Sequence, residues 1–330
     1  MHSVPVGSFE RLSGFPSLWR AWGRCRRGKS RQPRMAAFDL DADTELLRLR
    51  YALVNGRYRP APYRIQVVQD PKTRLIAAPS IRDRVVQTAL LTEIGPSYER
   101  SFIDQSYAVL QGRGPQRAAL AHLGWMRRYR WRLALDIHHY FASVDQRILL
   151  DLFAHRLRDP RSLGLIEALL TVGGEVYRHP LAQRVLHPGE AHPRGRGLAL
   201  GGHLSHWSGG FYLDGLDHYI KRELKCRAYL RYMDDMALFG DDRGWLCEAR
   251  DAIRDWLGRE RGLRLKDADA PVLSTAQPAG FLGYRVARSG LMPGAKARRR
   301  LRQRLRRAHD LPYDALVRSL AAYRGVWMTP

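Results

Sequence analysis

The stretch AYLRYMDDMALFGDD, residues 228–242, constrains this chain more than any other. Apolar residues flank Asp234 and Asp235 on both sides: Tyr229, Leu230, Tyr232 and Met233 before, Met236, Ala237, Leu238 and Phe239 after. The pattern reads as two short buried strands with an acidic tip. Adjacent carboxylates in an apolar hairpin are expensive to desolvate unless a cation neutralises them. Successive strand side chains point to opposite faces, so either the turn re-aims one carboxylate or only one of them meets the cation. A bare Asp-Asp pair is usually an ordinary acidic turn. Here a second strand-like run, residues 131–135, delivers a third acid, Asp136, in WRLALDIHHYFASVDQ. Three acids on two neighbouring strands can hold two Mg²⁺ ions roughly 3.5–4 Å apart, the spacing that clamps the attacking and leaving oxygens of a phosphoryl transfer. Mg²⁺, with Mn²⁺ as a substitute, takes such oxygen ligands and completes its shell with water and substrate phosphate.

RYMDDMALFG together with LALDIHHYFASVD resembles the palm of a reverse transcriptase, and the resemblance runs from about residue 8 to about residue 327. It implies an α+β fold, a right-hand polymerase palm and fingers with a small helical thumb. Residues 1–56 would form a basic N-terminal arm and helix, 57–287 the fingers and palm, and 288–330 a basic helical thumb. The activity implied is RNA-directed DNA synthesis: dNTPs added to a DNA or RNA primer on an RNA template. Asp136, Asp234 and Asp235 would be catalytic and metal-holding, with a backbone group of Ile137 beside the metals. The nearest groups are diversity-generating retroelement, retron and group II intron-like enzymes. The first of these works with a small basic accessory protein, and antiphage defence is the alternative role. A non-catalytic RNA-binding scaffold is a third reading, opposed by the intact acidic triad.

Composition agrees with a polyanionic partner. Lys and Arg number 56 against 32 Asp and Glu, a net charge of +24. Such an excess suits nucleic acid, because Lys and Arg contacts to phosphate release condensed counterions. Lipid is the other polyanion, but no apolar run approaches the ~18 residues a membrane span needs. The three cysteines, Cys25, Cys226 and Cys247, form no CxxC spacing, which argues against a disulfide framework or structural zinc and fits a reducing cytoplasm. Glu10 and Arg11 are unlike a secretory signal. No segment resembles an RNase H, HNH endonuclease or full maturase domain.

Taken in order, the basic cluster RAWGRCRRGKSRQPR, with Trp19 and Trp22, reads either as a phosphate grip with stacking aromatics or as a solvated arm. Leu40, Leu46, Leu47, Leu49 and Leu53 predict a helix over 39–54, stopped at Asn55-Gly56. IQVVQD and TRLIAAP read as strands. By resemblance, Arg74 and Lys72 contact the incoming triphosphate, and Arg113 and Arg117 face template or primer phosphate. Phe141 corresponds to the bulky residue that closes against the ribose 2′ position, which makes dNTP the substrate; a core phenylalanine would look the same. Asp145 reads as the N-cap of a helix. Gly173, Gly174, Pro180, Pro188 and Gly189 predict a loop or hairpin over 171–193. The histidines at 179, 187, 192, 203 and 206 lack a zinc-binding spacing.

In RGLALGGHLSHW, Gly201 and Ser205 match the loop and helix that cradle the nascent base pair. Leu200-Gly201, three residues, then Ser205 agrees with the retroelement pattern, but His206 stands where that group has glutamine. This departure puts adenine infidelity in question and leaves polymerisation untouched. A helix over 245–257 stops at Gly262, and a short strand over 263–266 brings Lys266 to the position of a lysine that protonates the departing pyrophosphate. GFLGYRVARSGL resembles the primer-gripping β-ribbon. Finally KARRRLRQRLRRAHD reads as a helix over duplex phosphates, carrying Lys296, Arg298, Arg299, Arg300 and Arg304 among eight basic residues.

Overall fold

The chain passes back and forth between two units. One comprises Met1–Phe102, His139–Asp214 and Glu260–Leu263; the other comprises Ile103–His138, Gly215–Arg259 and Arg264–Pro330. The computed structural model describes residues 8–69, 73–186, 192–310 and 312–327. Lys72 and His187 lie outside the described residues.

The first unit is mainly helical, with one hairpin in which β1 (Arg64–Gln69) pairs antiparallel with β2 (Thr73–Ala78). Its central element is the Ile81–Glu99 helix, whose Val85, Val86, Ala89 and Leu90 are fully buried. Ser80 caps that helix by accepting from the Asp83 amide, and buried Asp83 accepts from the Tyr58 hydroxyl at 2.6 Å and the Ser80 hydroxyl at 2.7 Å. The charge of Asp83 is thereby solvated by the protein. Tyr98, Phe153, Trp207 and Phe211 form an aromatic core with neighbouring ring centroids 4.9 to 6.1 Å apart.

Three expectations need correction here. The basic N-terminal stretch is folded as the helices Phe15–Arg26 and Pro33–Asp39, not as a solvated arm. Leu18, Ala21 and Cys25 are buried, while the Trp22 indole N–H donates to Asp39 at 3.0 Å, so the apolar side of the helix fixes it in place. Second, the helix predicted over 39–54 begins only at Ala42 (Ala42–Val54), leaving Leu40 in the break and 89% exposed. Third, 171–186 is not a loop, and residues 187–191, with Pro188 and Gly189, lie outside the described residues. The Pro160–Gly174 helix runs on into a short 3₁₀ turn, Glu175–Arg178, and a further helix, Pro180–Leu186. The glycines there serve contact rather than turning: a Cβ on Gly174 would lie 2.4 Å from Gln146 Nε2 and 2.9 Å from the Arg196 carbonyl oxygen. Pro180 sits at the start of its helix, where a missing N–H is harmless.

In the second unit an antiparallel sheet has the order β4-β5-β3-β6, with β3 Trp131–Leu135, β4 Tyr229–Tyr232, β5 Asp235–Gly240 and β6 Val272–Ser274. Residues 236–239 of β5 are buried on both faces, which is why they read as a continuous apolar run. Ala237 and Phe239 pack with Leu123 and Met126 of the Pro115–Arg128 helix and with Phe281 and Val286. Those last two belong to a separate meander, β7 (Ala279–Phe281), β8 (Tyr284–Ala287) and β9 (Gly290–Pro293), which extends the predicted ribbon by a strand. Leu282 and Gly283 both have positive φ, so a two-residue turn of the twisted type joins β7 to β8. The predicted strand at 263–266 reduces to a single bridge between Leu265 and Ile137. Two helices, Ala295–Arg306 and Tyr313–Trp327, follow the meander. No helix among the described residues is long and apolar enough to cross a membrane.

Candidate active site

The sheet register brings the three acids together. Leu135 pairs with Met236, so one further step along the same ladder sets Asp136 opposite Asp235. On the other side Tyr232 pairs with Asp235, leaving Met233 and Asp234 as a two-residue turn. Met233 has φ 56°, the left-handed region, which costs a residue with a Cβ roughly 1–2 kcal/mol. That turn takes Asp234 out of regular strand alternation with Asp235. Behind it, Arg231 donates from Nη1 to the Met233 carbonyl at 3.1 Å.

Desolvation first, helped by the nearby charges of Asp235 and Asp136 and opposed by its own backbone hydrogen bond and by Lys266, pushes the Asp234 carboxyl up to about 6. Asp235 is raised as well, by desolvation and then by Asp136. Lys266 meets this negative cluster: it donates to Asp136 Oδ2 at 2.7 Å, and that bond raises the lysine's own pKa. Backbone bonds fix both partners. The Lys266 amide donates to the Asp136 carbonyl at 2.8 Å and the His138 amide to the Arg264 carbonyl at 2.9 Å, flanking buried Ile137.

Three carboxylates, of which Asp234 and Asp235 have raised pKa values, facing an exposed lysine, suit a hard divalent cation by charge and by ligand type. Among the described residues no group of three or more His, Cys, Asp or Glu is already gathered closely enough to hold an ion. An ion that keeps waters and takes substrate oxygens does not need such a closed cage.

The remaining expected site residues are distributed as follows. In the first unit, Arg74 pairs through its backbone with Val68 in the β1–β2 hairpin. Phe141 is half-buried, its ring centroid 5.3 Å from that of Tyr140 and 5.4 Å from that of His206. Gly201, expected to let backbone approach substrate, has φ +124° and instead approaches β2: a Cβ there would lie 2.5 Å from the Ala77 carbonyl oxygen. Ser205 is buried, with its hydroxyl 3.3 Å from where a Gly202 Cβ would stand. In the second unit Arg113 turns inward, donating to the carbonyls of Ile103, Asp104 and Ser106 and pairing with the Asp104 carboxylate at 2.9 Å. Those bonds occupy the guanidinium that was expected to face phosphate. Arg117 is exposed, and the Ala295–Arg306 helix, which carries Lys296, Arg298, Arg299, Arg300 and Arg304, has no buried residue.

Two features escaped the sequence reading. The first unit holds a cleft of about 360 Å³ lined by Arg24, Arg27, Lys29 and Arg84 with His203 and His206. The second unit holds a fully buried ion pair, Arg231 with Asp217. An arginine inside an otherwise apolar strand signals such a pair, since a buried charge needs a partner.

Among known proteins, the chain is 31% identical over 137 residues to Protein YkfC of Escherichia coli, covering 39% of this chain and 36% of that protein. It is 25% identical over 323 residues to the group II intron-encoded protein LtrA of Lactococcus lactis, covering 76% of this chain and 51% of that protein. The mitochondrial nuclear intron maturase 1 of Arabidopsis thaliana matches at 26% over 193 residues, covering 51% and 27%. The chain thus spans about half the length or less of these relatives. Among solved structures it is similar to a telomerase of Candida albicans in complex with a fragment of telomeric RNA, at a TM-score of 0.49 and 12% identity over 72% of this chain and 46% of that one. The family model described as reverse transcriptase (RNA-dependent DNA polymerase) matches residues 69–286, a span that contains all three acids and covers more than half of the chain, which therefore belongs to the reverse transcriptase family.

Proposed function

We propose that this chain extends a DNA or RNA primer with dNTPs along an RNA template, with Asp136, Asp234 and Asp235 holding two Mg²⁺ ions, or Mn²⁺ in their place, beside the backbone of Ile137. The observation that carries this reading is the meeting of three carboxylates at one end of the β3–β5 ladder, with Asp234 raised to about 6 by desolvation and by the other two. When bound, such ions lower the pKa of the primer 3′-OH and offset charge on the transferring phosphoryl group.

The chain's own residues supply position and protons. The left-handed turn aims Asp234, while the ladder fixes Asp136 against Asp235. Lys266, exposed and already bonded to Asp136, is the proton source for the departing pyrophosphate. Arg74, with Lys72, orients the triphosphate through the planar fork that matches phosphate oxygens. Phe141, held against Tyr140 and His206, closes the space a 2′-OH would need. Arg117, the basic Ala295–Arg306 helix and the cleft lined by Arg24, Arg27, Lys29 and Arg84 take template and primer phosphates. The three free cysteines accord with a reducing cytoplasm.

The direct test is primer extension on RNA with purified protein, Mg²⁺ and dNTPs. Asp234→Ala should abolish synthesis while primer–template binding stays within a few fold; a variant that still polymerises refutes the assignment. The role this reading favours is a diversity-generating retroelement, supported by Leu200-Gly201 and Ser205 at their spacing and served by a small basic accessory protein. Sequencing of the products tests it: errors concentrated opposite template adenines support that role, and evenly spread errors point to antiphage defence instead.

A further inference from the structure

Arg231 is completely buried on β4, next to the turn that carries Asp234. Its charge is balanced by Asp217. Nε donates to Asp217 Oδ1 at 2.7 Å and Nη2 donates to Asp217 Oδ2, a two-pronged pair with a residue of the Asp214–Arg222 helix. The Tyr229 hydroxyl donates to the same Asp217 at 2.7 Å, which fixes the carboxylate's orientation. The strand around Arg231 is tied as well, its amide donating to the Gln105 carbonyl and its carbonyl accepting from the Tyr107 amide, both at 2.9 Å. Nη2 also donates to the Ser106 hydroxyl oxygen at 3.4 Å, and Nη1 reaches forward to donate to the Met233 carbonyl at 3.1 Å. Met233 is the non-glycine residue at φ 56° whose conformation takes Asp234 out of alternation.

We infer that Arg231, braced by Asp217, is a positioning residue for Asp234: it clamps the Met233 carbonyl and so holds the left-handed turn in the form that presents this carboxylate alongside Asp136 and Asp235. The inference rests on the reading of Asp234 as a metal-holding acid. A lysine at 231 would keep a cation beside Asp217 but lack the planar fork that reaches two partners at once. Loss of the clamp loosens the turn, and glycine at 233, which takes positive φ without strain, should restore it.

The experiment measures Mn²⁺ binding by electron paramagnetic resonance on protein free of nucleic acid and dNTP, with thermal melting and steady-state primer extension in parallel. Arg231→Lys should weaken Mn²⁺ binding about tenfold or more, the range seen when an outer partner of a metal ligand is removed. It should lower kcat while leaving the KM for dNTP and the affinity for primer–template unchanged, and adding Met233→Gly should recover most of the Mn²⁺ affinity. Wild-type Mn²⁺ affinity in Arg231→Lys, or a deficit that Met233→Gly does not recover, overturns the clamp. If Arg231→Lys does not fold, the double variant R231M/D217N, which removes both buried charges together, reads the same quantities. Asp234→Asn is run alongside. Should it lose Mn²⁺ while Arg231→Lys keeps it, only the clamp falls; should it bind Mn²⁺ like the wild type, the reading of Asp234 falls and the clamp with it.

Discussion

Replacing Asp234 by asparagine should stabilise the metal-free protein at neutral pH, although it removes a residue placed at the centre of the chemistry. The carboxyl titrates at about 6 in the folded chain against an ordinary value of 3.8, chiefly because it is desolvated. That difference corresponds to ~3 kcal/mol against the ionised folded state. Between about pH 4 and pH 6 the folded protein binds more protons than the unfolded chain, so this residue's contribution falls as pH rises across that window and the full penalty stands above it. Asparagine has no proton to lose. Its advantage over the wild type should therefore be absent below about pH 4 and reach ~3 kcal/mol above about pH 6. With an unfolding entropy of ~2.1 cal/mol/K per residue, that is a rise in Tm of roughly 4 °C for a chain of this length melting as one. Thermal melts in EDTA across this pH range measure it, and added Mg²⁺ should reverse the order, since a ligand bound only by the folded state stabilises the protein that binds it. If Asp234→Asn is no more stable than the wild type at neutral pH in EDTA, the desolvation argument is wrong. If its advantage persists undiminished at pH 4, the gain comes from packing and not from charge.

Three further outcomes follow from other parts of the structure. Phe141→Val should raise kcat/KM for rNTPs by about tenfold or more relative to dNTPs, the discrimination one filled pocket can supply, as read by primer extension with each nucleotide set. Replacing Arg299, Arg300 and Arg304 with glutamine should flatten the slope of log affinity against log salt for duplex binding by about 0.9 for each phosphate no longer neutralised, with kcat at saturating primer–template unchanged. Gly174→Ala should destabilise the protein by about 1–3 kcal/mol in denaturant unfolding, because its Cβ meets a carbonyl oxygen and an engaged amide side chain that cannot both withdraw. Gly23→Ala is the control: nothing lies within 4 Å of its Cβ, and a small gain in helix propensity is expected.

The sequence was most readable where period and punctuation agreed. Residues 131–135 read as a strand that delivers Asp136, Asp145 stands before an apolar helical stripe, and both strand and cap form as expected, with the Asp145 carboxylate accepting from the amides of Arg147 and Ile148. The YMDD hairpin was legible because apolar flanks on both sides call for two buried strands joined by an acidic tip, and the tip itself is open, with Asp234 half-buried and Asp235 exposed. Reading failed where one residue type serves two purposes. Glycine marks turns in most loops, but at 173 and 174 it permits close packing, and only the identity of the distant partners, Ala199, Gln146 and Arg196, distinguishes the cases. Arginine misled in the opposite direction. Arg113 looks like a phosphate contact but bonds its own loop, whereas Arg24, Arg27 and Lys29, which read equally as a phosphate grip or a solvated arm, line one cleft. Nothing in the local sequence says which arginines will be engaged by backbone carbonyls.

The pentad Arg-Tyr-Met-Asp-Asp shows how these levels meet. Strand alternation sends Arg231 inward to Asp217 and Tyr232 to the opposite face, and the same alternation carried forward would send Asp234 and Asp235 to opposite faces. A glycine at 233 would take the left-handed turn without strain. Methionine is buried there and strained, so the turn persists only because the surrounding contacts over-determine it. The desolvated Asp234 adds a second unfavourable contribution at the same point. Both are tolerable because the surrounding sheet is buried on its two faces and because a bound cation would reverse the electrostatic one. The order of residues therefore places the rigid, paired Arg231 two residues before the strained Met233 and the acids directly after it, so that the stability of the strand maintains a conformation the acids would not adopt alone.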